Sequence, residues 1–213
     1  MKNLIRIYIF FIFVVIALFL KSCYPKYNYD VGTFPDTPVN MGNINSVYDD
    51  YNSSSPTIGR AGPLCFSSNR SSNGKNFNII YKLLDVIMRR TDGELIIEEN
   101  TNDKNGDYLN NLNLNNAVLK INTAFDEFGP YLIPQGLGQR WVGSYYEGYN
   151  KYILLYANDE SGNLDIKFTE NLTSYEYSEP QNIIFLNSEY DDAYPCLNSD
   201  KLSFLSFAKS RNA

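Results

Sequence analysis

The chain contains no histidine. That absence removes Ser-His-Asp and Cys-His triads, His-ligated zinc and the facial triad of non-haem iron from the chemistry open to these residues. Carboxylates, a Lys or Tyr base, or an oxygen-ligated cation remain. Basic residues are also in short supply: 18 Lys and Arg stand against 24 Asp and Glu, a formal net charge of −6. Neutralising a nucleic-acid backbone takes clustered cations, so nucleic acid is not an expected partner. Cysteine is limited to Cys23, Cys65 and Cys196. The last two lie in non-equivalent strand-like runs, so the expectation is buried free thiols rather than a disulfide. Beyond the N-terminal segment no helix-period pattern of useful length is read, which leaves strands as the expected element.

What the chain does contain is apolar and aromatic material: 44% of its residues are hydrophobic and 15% aromatic. In 213 residues that is enough for one sizeable core or two small ones. The first strongly apolar stretch is N-terminal. Lys2 and Arg6 precede an uncharged run from Ile7 to Leu20, followed by Lys21, Ser22 and Cys23. This run is shorter than the roughly twenty residues of a membrane-spanning helix and matches the core of an export signal. Residues 1–22 therefore read as a signal peptide. Residues 23–37, rich in Tyr, Asn, Asp and Pro, read as a tether.

Leu20, Ser22 and Cys23 resemble the lipobox of bacterial lipoproteins, although Lys21 stands where a small or apolar residue is usual. The resemblance implies that Cys23 becomes the lipidated N-terminus and anchors the protein to a membrane. Two or three acyl chains hold far more firmly than one. Tyr24, in place of Asp after the cysteine, implies onward sorting to the outer membrane. The absence of an acidic run there points to a periplasm-facing protein of the bacterial cell envelope.

In the remaining chain one pattern recurs three times. It runs Ile44-Asn45-Ser46-Val47-Tyr48-Asp49-Asp50, then Ile121-Asn122-Thr123-Ala124-Phe125-Asp126-Glu127, then Leu186-Asn187-Ser188-Glu189-Tyr190-Asp191-Asp192. Each copy reads aliphatic, Asn, hydroxyl, any residue, aromatic, acid, acid. Each is followed by a β-rich run: Leu64–Arg70, Leu154–Glu160 and Leu205–Arg211. The first two copies continue through a Gly/Asn turn into Phe77–Tyr81 and Leu164–Phe168. Short strands rich in Ile, Phe, Tyr and Leu between Gly, Asn, Asp and Ser point to antiparallel sheet. The stretch Ile79–Arg90 continues the repeated strand and is read as β rather than as a short amphipathic helix.

The order INS-x-YDD, LCFSSNR, GKNFNIIY resembles the WD40-like β-propeller repeats of TolB and of many Gram-negative envelope lipoproteins. It covers residues 38–213, with an insertion around Leu137–Gly148 in the second copy. The resemblance implies an all-β fold: a partial β-propeller of about two and a half four-stranded antiparallel blades behind the signal segment. A blade buries its faces against its neighbours, and a ring usually needs at least about four. The expectation is thus a partial protein, or one completed by blades from elsewhere. Pro38–Gly42 is a candidate outer strand for a closing blade.

The acid pairs invite comparison with the paired carboxylates of glycosidases. A catalytic pair occurs once per site, however, whereas Asp49/Asp50, Asp126/Glu127 and Asp191/Asp192 recur with every copy. Asp and Asn accept backbone N–H bonds in turns, so these acids, with Asn45, Asn122 and Asn187, are read as architecture. Thr101–Asp107 and Asn158–Asn163 look faintly like calcium loops but lack the ligand pattern, and are read as turns. Trp141, Tyr145, Tyr146 and Tyr149 cluster in the second-copy insertion between Gly138, Gly143 and Gly148 and are read as an aromatic loop, which either stacks on a sugar or a protein partner or packs over its own blade. No cofactor and no metal site is expected. The reading is a binding or scaffold module with an envelope protein as partner, not an enzyme. A carbohydrate-binding or glycoside-cleaving propeller and a structural piece of a larger protein are the alternatives.

Overall fold

A computed structural model describes residues 32–56, 62–89, 91–100, 111–142, 144–173 and 175–196. The signal segment, Cys23, Thr101–Asp107 and Leu205–Arg211 lie outside the described residues. The chain divides into two compact units: Met1–Asp36 with Met88–Leu95, and Thr37–Ile87 with Ile96–Ala213. In the smaller unit Thr33 bridges Glu94 in parallel. The Thr33 N–H donates to Gly93 O at 3.0 Å, and the Leu95 N–H donates to Thr33 O at 2.7 Å. Arg89 pairs with both Asp92 and Glu94 around the same turn.

The strands are β1 (Asp50–Ser54), β2 (Gly62–Ser68), β3 (Asn78–Met88), β4 (Leu95–Glu99), β5 (Glu127–Val142), β6 (Tyr145–Asn158), β7 (Asp165–Glu170) and β8 (Gln181–Asn182). They form two four-stranded sheets in simple sequential order, β1-β2-β3-β4 and β5-β6-β7-β8. The pairings β1–β2, β2–β3, β5–β6, β6–β7 and β7–β8 are antiparallel. The sequence runs expected as strands fall where expected: Leu64–Ser68 in β2, Leu154–Asn158 in β6, and Ile79–Met88 in β3. Every residue of β2 is buried, because side chains on both faces of its sheet are covered. No closed barrel or propeller ring is formed among the described residues.

The fold is mostly β rather than all-β. Helix α1 spans Asn111–Ile121. Leu114, Ala117, Val118 and Ile121 are buried at helical spacing along one side, while Leu119 is exposed. Interspersed asparagines, poor helix formers, obscure this pattern in the sequence. The helix survives because packing overrides propensity. Its buried residues share one core with Cys65 and Ile79 of the first sheet and with Leu132, Tyr152, Leu154 and Tyr156 of the second. Lys120 locks its end, donating to Tyr177 O at 2.7 Å and pairing with Glu179 at 2.7 Å.

Each sheet also has a second apolar face. Ile44, Leu64, Phe66 and Leu84 cluster on one side of the first sheet, and Ile133, Ile153, Leu155, Ile166 and Ile183 on one side of the second. Alternate residues of β6 supply the two faces of the second sheet: Leu154 and Tyr156 point to the shared core, Ile153 and Leu155 away from it.

Candidate functional site

The three motif copies build the same turn. In the first, the Ser46 N–H and hydroxyl both donate to Asp50 Oδ2, at 2.7 and 3.0 Å, and the Tyr48 N–H donates to Ser46 Oγ at 3.2 Å. In the second, the Thr123 N–H and hydroxyl donate to Glu127 Oε1 at 3.1 and 2.6 Å, and the Phe125 N–H donates to Thr123 Oγ1 at 3.1 Å. In the third, Ser188 donates twice to Asp192 Oδ2 at 2.5 and 2.8 Å, and the Tyr190 N–H donates to Ser188 Oγ at 3.2 Å. The hydroxyl residue is required because it is donor to the second acid and acceptor from the aromatic residue's backbone at once. The second acid is required because it gathers both donors.

Two residues after the second acid, each copy turns through the left-handed region. Asn52 has φ 51°, Gly129 φ 58° and Tyr194 φ 57°. The pairing register of β1 with β2 and of β5 with β6 slips at this point, between Tyr51 and Ser54 and between Phe128 and Tyr131. A β-bulge with its left-handed residue is therefore a repeated part of the motif. Residue identity concealed it, since Asn, Gly and Tyr occupy the same backbone position.

The end of the second strand closes the turn from the other side. Asn69 Oδ1 accepts the Asp49 N–H at 3.0 Å, and Asp159 Oδ1 accepts the Asp126 N–H at 2.8 Å. The polar ends of the FSSNR-like runs thus have a backbone task.

The motif also reaches across to the preceding sheet. Asn122 Oδ1 accepts the Ile79 N–H at 2.8 Å, and its amide donates back to Ile79 O at 2.9 Å. Asp126 Oδ1 accepts the Phe77 N–H at 2.7 Å, and the Glu127 N–H donates to Phe77 O at 2.9 Å. Asn76 Nδ2 donates to Ala124 O at 2.6 Å. The third copy repeats the grip on the second sheet. Asn187 holds Ile166 N–H and C=O at 2.8 and 3.1 Å. Asp191 accepts the Leu164 N–H at 2.9 Å, the Asp192 N–H donates to Leu164 O at 2.7 Å, and Asn163 Nδ2 donates to Tyr190 O at 2.9 Å. A carboxamide matches one backbone N–H and C=O pair, so each Asn stands in for a neighbouring strand residue.

The copies differ at the second acid. Asp50 meets Arg70 at 2.6 Å, and the same guanidinium donates to Ile44 O at 2.7 Å. Burial opposes ionisation of Asp50, but the donors Ser68, Arg70 and Ser46 outweigh it and hold the carboxyl below its ordinary value. Glu127 is fully buried and meets amides instead of a cation: Asn158 Nδ2 at 3.0 Å and Asn78 Nδ2 at 3.3 Å. Burial pushes its pKa up to about 7, against the pull of the Thr123 and Asn158 donors.

The aromatic cluster is placed differently from expectation. Trp141, Tyr145, Tyr146 and Tyr149 are not in a loop. They belong to β5 and β6, which continue past β7 as a two-stranded ribbon in which Trp141 opposes Tyr146 and Gly138 opposes Tyr149. Cys65 is buried and free as expected, but Cys196 is exposed rather than buried. Asn158–Asn163 is a turn in which Asn158 and Asp165 accept from Glu160 N–H and Ser161 hydroxyl. Among the described residues no group of three or more His, Cys, Asp or Glu side chains is arranged to hold a metal ion. No described helix is long and apolar enough to cross a membrane.

Compared with family models, curated proteins and solved structures, the chain matches none.

Proposed function

We propose that this chain is a lipid-anchored protein of the bacterial cell envelope whose folded part is a section of a TolB-type β-propeller serving as a protein-binding scaffold. One observation carries the reading. Each motif copy makes the same turn, and the second and third copies each grip the third strand of the sheet before them. Serial sheets joined by one repeated contact are the logic of a propeller, in which each sheet covers its neighbour. The apolar faces left on the two sheets suit further sheets of the same kind. The carboxylates favour a scaffold over an enzyme, because Asp50, Asp126, Asp191 and Asp192 are engaged with backbone N–H groups of the turns and strands. Placement at the outer membrane, facing the periplasm, follows from the Leu20-Lys21-Ser22-Cys23-Tyr24 stretch.

The test is expression of the full chain in a Gram-negative host with labelled palmitate. The expected result is label in the outer-membrane fraction, lost in Cys23→Ala. An unlabelled, freely soluble protein would overturn the anchor. Turnover of a glycoside abolished by one Asp or Glu substitution would overturn the scaffold reading.

A further inference from the structure

We propose that the tip of the ribbon formed by β5 and β6 seats in a lipid–water interface and gives the folded part its own contact with the membrane. The inference rests on the lipid-anchored reading above, which brings a bilayer within reach. A tether over residues 23–37 spans at most about 50 Å.

The ribbon stands apart from the rest of its sheet. β7 pairs with β6 only over residues 153–158, whereas β5 and β6 stay paired out to Val142 and Tyr145. β5 is the edge of the sheet, so beyond Lys151 the ribbon has two strands only. It leaves the sheet at the register shift between Pro134 and Gly136, where Gly136 has φ +96°. A two-stranded ribbon is marginal in water by itself. Both faces are open where glycines allow the question to be asked. Among the described residues nothing lies within 4 Å of a β-carbon placed at Gly136. At Gly148 only Gly138 O of the ribbon itself does, at 3.8 Å. Alternation puts Gly136 on the same face as Val142, and register puts Gly148 on the same face as Trp141.

The tip has the chemistry of an interfacial anchor. Residues 141–146 carry no charge. Register places Trp141 with Tyr146 on one face and Val142 with Tyr145 on the other, and Arg140 opposes Glu147 directly behind them. Past that charged pair the strands rise by about 7–10 Å, at about 3.3 Å per residue. Interfacial segments sink to a similar depth, about 5–10 Å. Trp and Tyr favour this layer because each ring has an apolar body and a polar handle. A saccharide or a flat protein surface covers one face of a ribbon and leaves the other in water. A lipid interface surrounds both, and that two-sidedness selects the occupant. The net charge of −6 gives no attraction to anionic headgroups, so the surface expected is zwitterionic lipid.

Trp141 is the single tryptophan of the chain, so tryptophan fluorescence reports on the tip alone. The full chain is reconstituted into phosphatidylcholine vesicles, and into the same vesicles with bromine on the acyl chains close to the headgroup. Either the lipid on Cys23 or the apolar run at residues 7–20 holds the chain on the vesicle. We expect Trp141 emission to be quenched by the brominated lipid and shielded from iodide in the water. Both effects should be lost in Val142→Asp and in Tyr145→Asp, at a thermal transition in detergent that matches the parent. Where a variant loses that transition, bromine quenching in the parent decides alone. Emission open to iodide and untouched by bromine overturns the inference, and so does quenching that survives both substitutions in folded protein. An emission shift on adding a neutral oligosaccharide, with no effect of brominated lipid, overturns it in favour of a glycan site. Quenching in a chain that takes no palmitate overturns the anchor and leaves the tip; palmitate without quenching does the reverse.

Discussion

The backbone of Tyr194 lies against the α-carbon of Gly129: a β-carbon at Gly129 would come within 2.7 Å of the Tyr194 ring and 2.9 Å of its α-carbon. Gly129 also has φ +58°, so the bulge of the second copy requires glycine twice over, for conformation and for the approach of the third copy. We expect Gly129→Ala to lower stability by roughly 2–3 kcal/mol, combining left-handed strain with a backbone clash. Gly136, at φ +96°, has nothing within 4 Å of its β-position. Gly136→Ala is therefore expected to show the strain alone, about 1 kcal/mol. Urea unfolding of both variants checks the difference; equal losses would remove the contact from the account.

The Asn grip predicts a ranking. Asn122→Ala leaves the N–H and C=O of the fully buried Ile79 without their partner. It is expected to cost roughly 1–3 kcal/mol, and Asn187→Ala a similar amount. Asn45→Ala removes one exposed bond to Asn40 and is expected to stay within about 0.5 kcal/mol of the parent. Denaturant midpoints at constant slope test the order. A loss in Asn45→Ala matching that in Asn122→Ala would contradict the assigned partners.

Glu127 and Asp50 occupy the same motif position but predict opposite pH behaviour. The Glu127 pKa is raised from about 4.5 to about 7 in the folded protein, so the native state holds its proton more tightly than the unfolded chain. Its contribution to stability is fully present below about pH 4.5 and is lost as pH rises through about 7. At about 1.4 kcal/mol per pKa unit the loss is at most roughly 3–4 kcal/mol. Asp50, lowered by its donors, contributes stability above its ordinary value of 3.8 that disappears in stronger acid. Thermal melts of the parent and Glu127→Gln between pH 4 and 8 are the check. The substitution should flatten the decline across that range, and an unchanged slope would mean another group titrates.

Thiol labelling distinguishes the two cysteines of the folded part. Cys196 is exposed and free, while Cys65 is completely buried and its thiol is pushed well above the usual range by burial. Only the thiolate reacts. A thiol reagent should therefore modify Cys196 promptly, a phase lost in Cys196→Ser. Cys65 should react only on unfolding, and that denaturant-dependent phase should vanish in Cys65→Ser.

The core shared by α1 and both sheets gives a final expectation. Leu114 is fully buried between elements of the two sheets. Leu114→Ala should cost about 2–5 kcal/mol, read by the same unfolding assay, because the cavity lies in packed surroundings. A value below about 1 kcal/mol would place the helix outside the cooperative core.

The sequence by itself determined the strand-like runs that form β2, β3, β6 and β7, and the recurrence of the motif. Strand-favouring residues and turn residues are local signals, and a residue pattern repeated three times is visible without coordinates. The repetition also led to the expectation that the Asp and Asn residues are architectural. Tertiary structure alone decided what those residues hold. Asn122 meets Ile79 from 43 positions away, and Asn187 meets Ile166 from 21. No spacing in the chain announces such partners, since each contact exists only once a motif copy lies against the sheet before it. The same holds for α1, whose asparagine-rich sequence is helical because its apolar stripe is buried, and for Tyr194, held in a glycine-like conformation by the position it repeats. The four aromatics of the second-copy insertion were misplaced as a loop for the converse reason. Glycines at Gly138, Gly143 and Gly148 read as turns one at a time, whereas cross-strand pairing joins the stretches around them into one ribbon.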